Sequence, residues 1–229
     1  MKWPFMNFQP DLILEVTSIC DRRCKGCYAP NAVSQEDAET LFNSNPSFFL
    51  QTEKLKKTLE GLSQNKISSI SLRGGEPSRH PKLGELLEVI RSFNASDIFV
   101  ETHGRWILEE SESTSQLIQA CKDTNCILKI SFDQMHGLKP EKLKAILDRI
   151  TSAKIQYAVA ITESTNEKFV VSRGFCDWVP NDKIIYQAKA VNSQDLLQPR
   201  VGVIGVNGYL VKNLTSNLRS DAQNIEVAV

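Results

Sequence analysis

Short aliphatic runs alternate with amphipathic stretches along most of the chain, and this rhythm leaves few folds open. The runs are DLILEVT (11–17, with Glu15 embedded), KISSISLRGGEP (66–77), DIFVETHG (97–104), CILKISFDQMH (126–136), IQYAVAITE (155–163) and KIIYQAKAV (183–191). Between them, 51–65, 80–93, 111–123 and 139–153 carry apolar residues at helical spacing, as in Leu55, Leu59 and Leu62. Two of these helices open with a proline near the start, Pro81 and Pro140, and a shorter helix is expected over Ser34–Phe42. Strand–helix alternation predicts right-handed crossovers and a parallel sheet. Six strands, ending near Thr17, Arg73, Thr102, Asp133, Glu163 and Ala190, make an α/β fold that closes only part of a circle, a partial (β/α)6 or open TIM-like barrel. Such barrels place their chemistry at the carboxyl ends of the strands. Residues 8–195 are assigned to this barrel. Beyond them, PRVGVIGVNGYLVKNLT (199–215) sets Asn207-Gly208 between two Val/Ile-rich runs, the signature of a two-residue hairpin turn. Residues 196–229 are therefore expected to form a short β-hairpin extension and tail packed on the barrel or on a partner.

The strand ends carry two motifs. The first strand runs into TSICDRRCKGCY, where Cys20, Cys24 and Cys27 stand in a CxxxCxxC spacing. A CxxC pair alone fits a zinc knuckle or a thioredoxin-like redox pair equally. Zinc would need a fourth Cys or His, and the nearest histidine in sequence is His80; a redox pair would leave Cys20 without a role. Three thiolates can hold three corners of a four-iron cluster, and ferredoxin-type carriers close such a cluster with a fourth. The missing fourth ligand leaves one metal position open, which is the mark of a reactive centre. The second motif, SLRGGEPSRHP at 71–81, ends the second strand with Gly74, Gly75, Glu76 and Pro77. Glycine allows a close backbone approach, Glu76 accepts from a cation and Pro77 stiffens the exit. Taken alone it is also an ordinary strand-to-helix turn.

The order and separation of the two motifs resemble the radical S-adenosylmethionine (radical SAM) enzymes, in particular the single-cluster core of members that modify peptides or small metabolites. The resemblance implies a [4Fe-4S] cluster on Cys20, Cys24 and Cys27, with S-adenosyl-L-methionine chelating the open iron. It implies that Gly74, Gly75, Glu76 and Pro77 meet the methionyl ammonium. It also implies that Ser131 and Asp133, ending the fourth strand in ISFD, contact the ribose or the methionyl carboxylate. Thr102, implied as a further contact to S-adenosylmethionine, ends the third strand in ETHG where relatives often carry Thr-Asn-Gly, so His103 stands in place of the asparagine. The residue before the third cysteine, usually aromatic in the family, is Gly26, and Tyr28 follows as the candidate adenine contact. The implied activity is reductive cleavage of S-adenosylmethionine to a 5′-deoxyadenosyl radical that abstracts hydrogen from substrate, of oxidoreductase or lyase type. An activase of a glycyl radical enzyme is the second reading, although the N-terminus MKWPFMNFQPDL lacks the glycine-rich segment those enzymes usually carry. A non-catalytic iron–sulfur electron carrier or sensor is the third.

His103 and His136 fall just beyond strand ends, where substrate should lie, and each is a candidate general acid/base. A hydrogen-bonded loop histidine is the plainer alternative for both. Arg173 is a candidate carboxylate clamp or a surface ion pair. Cys121 and Cys126 read as buried thiols, and Cys176 as a thiol near a strand end; with no cysteine after 176, the tail has no auxiliary cluster of its own.

Charge narrows the partners. Lys plus Arg equals Asp plus Glu at 27 each, against non-specific nucleic-acid binding. The segment Asp21-Arg22-Arg23-Cys24-Lys25 is locally cationic, suited to an acidic flavodoxin- or ferredoxin-type electron donor. No apolar stretch reaches the length of a membrane span, no signal peptide is visible, and the clustered cysteines suit a reducing compartment, so the sequence reads as cytoplasmic.

Overall fold

The structure is a computed structural model and describes residues 10–24, 38–62, 67–132, 137–163, 177–188, 202–204 and 210–211. Six strands follow the expected order: β1 (Leu12–Thr17), β2 (Ser69–Gly74), β3 (Asp97–Thr102), β4 (Ile127–Ser131), β5 (Gln156–Glu163) and β6 (Ile184–Ala188). Each pairs in parallel with its sequence neighbour, giving the spatial order β6-β5-β4-β3-β2-β1. Helices α1 (Ala38–Ser44) and α2 (Thr52–Glu60) lie between β1 and β2 in the chain. They are followed by α3 (Leu83–Ser92), α4 (Glu112–Asp123) and α5 (Pro140–Ser152). This is an open, parallel α/β sheet of the partial-barrel type.

Alternation along the strands sorts the side chains into two layers. Leu12, Leu14, Val16, Ile70, Leu72, Ile98, Val100, Leu128, Ile130, Val159 and Ile161 join one core with Leu55 and Leu59 of α2, Leu86 and Ile90 of α3, and Leu143, Ile146 and Ile150 of α5. At about 1.5–3 kcal/mol for each large aliphatic side chain buried, this layer dominates the stability of the domain. Cys121 of α4 and Cys126 ahead of β4 are fully buried in it, as the sequence led us to expect. The opposite face carries a smaller apolar cluster of Phe99, Ile127, Ala158 and Ile185.

Several boundaries differ from the sequence reading. α3 begins at Leu83 instead of near His80, because a 3-10 turn over Pro77–Arg79 leaves His80 extended. Its ring donates from Nε2 to the Leu50 carbonyl at 2.9 Å and accepts the Lys82 amide on Nδ1 at 3.1 Å. α1 runs two residues past the expected end at Phe42, to Ser44, and packs Leu41 against Ile19 and Phe49; residues 34–37 of the expected helix lie outside the described residues. β4 ends at Ser131, two residues before the expected Asp133. At the other edge, β7 (Gly202–Ile204) adds in parallel to β1 and β8 (Leu210–Val211) pairs antiparallel with β7. The Asn207-Gly208 turn between them is outside the described residues.

Candidate cluster-binding site

The exit from β1 is shaped by Thr17. Its hydroxyl donates to the Phe48 carbonyl and accepts the Ile19 amide, both at 3.0 Å, while the Ser18 amide binds the same carbonyl. Ile19 is then buried against Leu41 and Phe49. The end of β2 runs alongside: the Gly75 amide donates to the Thr17 carbonyl at 2.7 Å and the Glu76 amide to the Ile19 carbonyl at 2.8 Å. A register shift between Glu15 and Thr17 makes this lacing possible. A Cβ on Gly74 would run into the Thr17 carbonyl oxygen, and one on Gly75 into that of Ile19. The two glycines are thus required by the approach of β2 to the segment that delivers Cys20.

Cys20 is buried, and its Sγ accepts the Arg22 amide at 3.4 Å. Burial pushes its thiol up to about 12, with the nearby Glu76 and Asp21 carboxylates adding to the shift, so without metal it is held protonated. Cys24 is half-buried four residues on, and neither forms a disulfide. Cys27 and Tyr28 lie outside the described residues, as do Asp133, His136, Arg173 and Cys176. Among the described residues no three His, Cys, Asp or Glu side chains converge as a metal site. The donors that are described, two thiols at the carboxyl edge of a parallel sheet, suit an iron–sulfur cluster better than a hard cation.

Glu76 is the hub beside this loop. Only 1% exposed, its carboxylate takes the Thr102 hydroxyl at 2.7 Å and the Ser78 hydroxyl at 3.0 Å on Oε1. Oε2 takes the His103 amide at 3.0 Å. Thr102 in turn accepts the Gly104 amide at 2.9 Å and the Trp106 indole N–H at 3.0 Å. Oε1, which also receives the Ser78 amide at 3.2 Å, is filled, whereas Oε2 keeps acceptor capacity.

His103 stands between Glu76 and the cysteine loop with its side chain 5% exposed. Nδ1 accepts the Arg105 amide at 3.1 Å, which places the proton of the neutral ring on Nε2. Nε2 lies 3.0 Å from Asp21 Oδ1 and 3.3 Å from Glu76 Oε2. Burial works against charging the ring, yet the Glu76 and Asp21 carboxylates prevail and its pKa is raised. Asp21 is also held from Oδ2 by Arg79 at 2.8 Å. Burial opposes its charge as well, but His103 and Arg79 keep its carboxyl well below the usual range. Both ring nitrogens of His103 are therefore engaged by the chain itself. Ser131 is half-buried at the end of β4.

One layer deeper, on the face turned from the helices, lies a set of ionic residues whose importance the sequence reading missed. Glu15 is paired in register with Arg73, and Glu101 in register with Lys129. Lys129 Nζ is 3.3 Å from Glu101 Oε2, Ser71 donates to Glu101 Oε1 at 2.6 Å, and Arg73 lies 3.7 Å from Glu15. Partial burial opposes ionisation of Glu101, but Lys129, Arg73 and Ser71 outweigh it and lower its pKa. The signal was present: Glu15, Glu101 and Lys129 interrupt apolar strands at the period of the inward face.

The comparisons agree with this picture. The fold is similar to Streptococcus suis SuiB bound to S-adenosylmethionine (TM-score 0.50, 14% identity, 93% of this chain and 62% of that one). The same protein bound to its precursor peptide SuiA matches with a TM-score of 0.51 at 14% identity, over 98% of this chain and 63% of the other. Hexahistidine-tagged anSMEcpe with bound AdoMet matches at 0.50 and 16% identity, over 77% of this chain and 48% of that one. The chain thus spans less than two thirds of the length of these structures. No curated protein matches the sequence closely enough to count as a relative. A family model described as a 4Fe-4S single cluster domain matches residues 13–137, from β1 through the cysteine loop and the glycines to the segment after β4. That span takes in the cysteine loop, the laced strand ends and four of the parallel strands, and, in keeping with the radical SAM resemblance, the chain belongs to the 4Fe-4S single cluster domain family.

Proposed function

We propose that this chain is a radical SAM enzyme that acts on a peptide. Cys20, Cys24 and Cys27 would hold a [4Fe-4S] cluster and leave one iron for S-adenosylmethionine. When bound, this pair supplies the electron transfer that splits the sulfonium and yields the 5′-deoxyadenosyl radical that takes hydrogen from substrate. The observation that carries the reading is the pair of backbone bonds, Gly75 to Thr17 and Glu76 to Ile19, that sets the Gly-Gly-Glu-Pro run directly against Cys20.

The chain's own residues bind and orient. Gly74 and Gly75 present bare backbone, and Oε2 of Glu76 accepts from the methionyl ammonium. Pro77 fixes the turn, while Thr102 aims Glu76. Ser131 and, beyond β4, Asp133 serve the ribose or the carboxylate, and Tyr28 the adenine. His136 is our candidate for moving a proton at the substrate. The exposed Arg22 and Arg23 favour an acidic flavodoxin- or ferredoxin-type donor. Residues 8–195 act as the barrel and 196–229 shield its β1 side, a role supported by the pairing of β7 with β1. A peptide is preferred to a small metabolite because SuiB, of similar fold, is seen with its precursor peptide. Among the described residues no helix is long and apolar enough to cross a membrane.

The test is anaerobic reconstitution with iron and sulfide, followed by S-adenosylmethionine and dithionite. Formation of 5′-deoxyadenosine and methionine is expected. A loaded cluster that gives neither would favour the non-catalytic iron–sulfur carrier.

A further inference from the structure

We propose that His103 is a positioning residue that fastens the cysteine loop to the end of β3 through Asp21, holding Cys20 in its ligating position before any cluster is bound. The proposal rests on Cys20 being a cluster ligand, but the fastening is a property of the metal-free chain. Asp21 directly follows Cys20, and its two carboxylate oxygens are held from two different elements: Oδ1 by His103 Nε2 at 3.0 Å and Oδ2 by Arg79 at 2.8 Å. His103 is itself immobilised at three points. Its amide is on Glu76 at 3.0 Å, its Nδ1 accepts the Arg105 amide at 3.1 Å, and its ring is nearly buried. The proton on Nε2 can therefore point only toward Asp21 and, at 3.3 Å, the far oxygen of Glu76.

The choice of residue at 103 matters. An asparagine side chain at this position would end near the place of Nδ1 and fall short of Asp21. Histidine adds the reach that ties loop to strand, and glutamine reaches about as far with an N–H at its end. The next residues, Arg22 and Arg23, are exposed and add no apolar burial of their own to hold Cys20 in place. A charge-assisted bond from a rigid strand end supplies that order in advance, as preorganised sites require.

The experiment is pulsed alkylation of the reduced, metal-free protein with iodoacetamide, read by peptide mass spectrometry. Cys121 and Cys126, both fully buried in the helix–sheet core, report global opening in the same sample. His103→Ala is expected to raise the labelling rate of Cys20 by about tenfold or more while Cys121 and Cys126 stay as protected as in wild type. His103→Gln is expected to restore near wild-type protection of Cys20. An unchanged Cys20 rate in His103→Ala, or a rise only in step with Cys121 and Cys126, would overturn the proposal. Iron content of the reconstituted wild type is measured separately, so failure of the cluster reading leaves the labelling result standing on its own.

Discussion

Thr102 gives its hydroxyl proton to Glu76 at 2.7 Å, joining the end of β3 to the end of β2 in a site where neither side chain meets solvent. The groups gathered on the Glu76 carboxylate are donors: Thr102, Ser78, and the amide and ring of His103. Its first task is therefore to hold the strand ends, and any service to a ligand ammonium comes on top of that. Glu76→Gln turns one acceptor into a donor facing donors. We expect it to lower stability by about 3 kcal/mol, as measured by urea denaturation, and to weaken S-adenosylmethionine binding as well. An unchanged denaturation midpoint would contradict the hub.

Gly75 is expected to tolerate no side chain. In Gly75→Ala the new Cβ meets the Ile19 carbonyl, a backbone atom that cannot swing aside. Strands β1 and β2 must part just before Cys20, costing about 1–3 kcal/mol. Reduced iron uptake on reconstitution, together with a lowered melting temperature, is the expected result. Normal uptake would show that the lacing does not matter.

His80 sets a pH dependence. Burial edge-on to Phe42 and Phe49 lowers its pKa to about 4 and outweighs the bond to the Leu50 carbonyl, which favours the charged ring. Above about pH 6.5 the ring is neutral folded and unfolded, and no stability depends on it. As pH falls from 6.5 toward 4 the unfolded chain takes up the proton first, so stability is lost, by about 3 kcal/mol in full. Comparing wild type with His80→Asn between pH 7 and pH 4.5 isolates this term. The variant should be less stable at pH 7 yet lose less as the solution is acidified; parallel curves would refute the assignment.

Lys129 is 3% exposed in its side chain, and its ammonium lies 3.3 Å from the Glu101 carboxylate. Lys129→Met should cost about 3–5 kcal/mol by taking that cation from the carboxylate, whereas Lys129→Met with Glu101→Leu should recover much of that loss. Additive losses in the double-mutant cycle would mean that the two groups do not act as a pair.

Sequence and structure agree most closely where periodicity is strong. The six strands and four of the helices follow from runs such as DIFVET and LGELLEVIRS, in which burial alone fixes the pattern. Helix starts are less legible, because α3 begins only after a 3-10 turn that leaves His80 extended, its ring bonded to Leu50 thirty residues away in sequence. Cys20, Gly74, Gly75 and Glu76 stand out in the sequence as two motifs, and the structure brings them side by side. Their cause is only half readable, since the clash that demands Gly75 comes from Ile19, on another strand exit. Asp21 stands out in the sequence only as part of a charged run. Its partner His103 lies 82 residues on, and no local pattern joins them.

The central claim, a single cluster held by the cysteine loop, is tested most directly by counting iron. Anaerobically reconstituted wild type should hold about four irons and four sulfides per chain and form 5′-deoxyadenosine with S-adenosylmethionine and reductant. Cys24→Ala should lose the brown chromophore and all cleavage. About eight irons per chain, or cleavage that survives Cys24→Ala, would contradict the account.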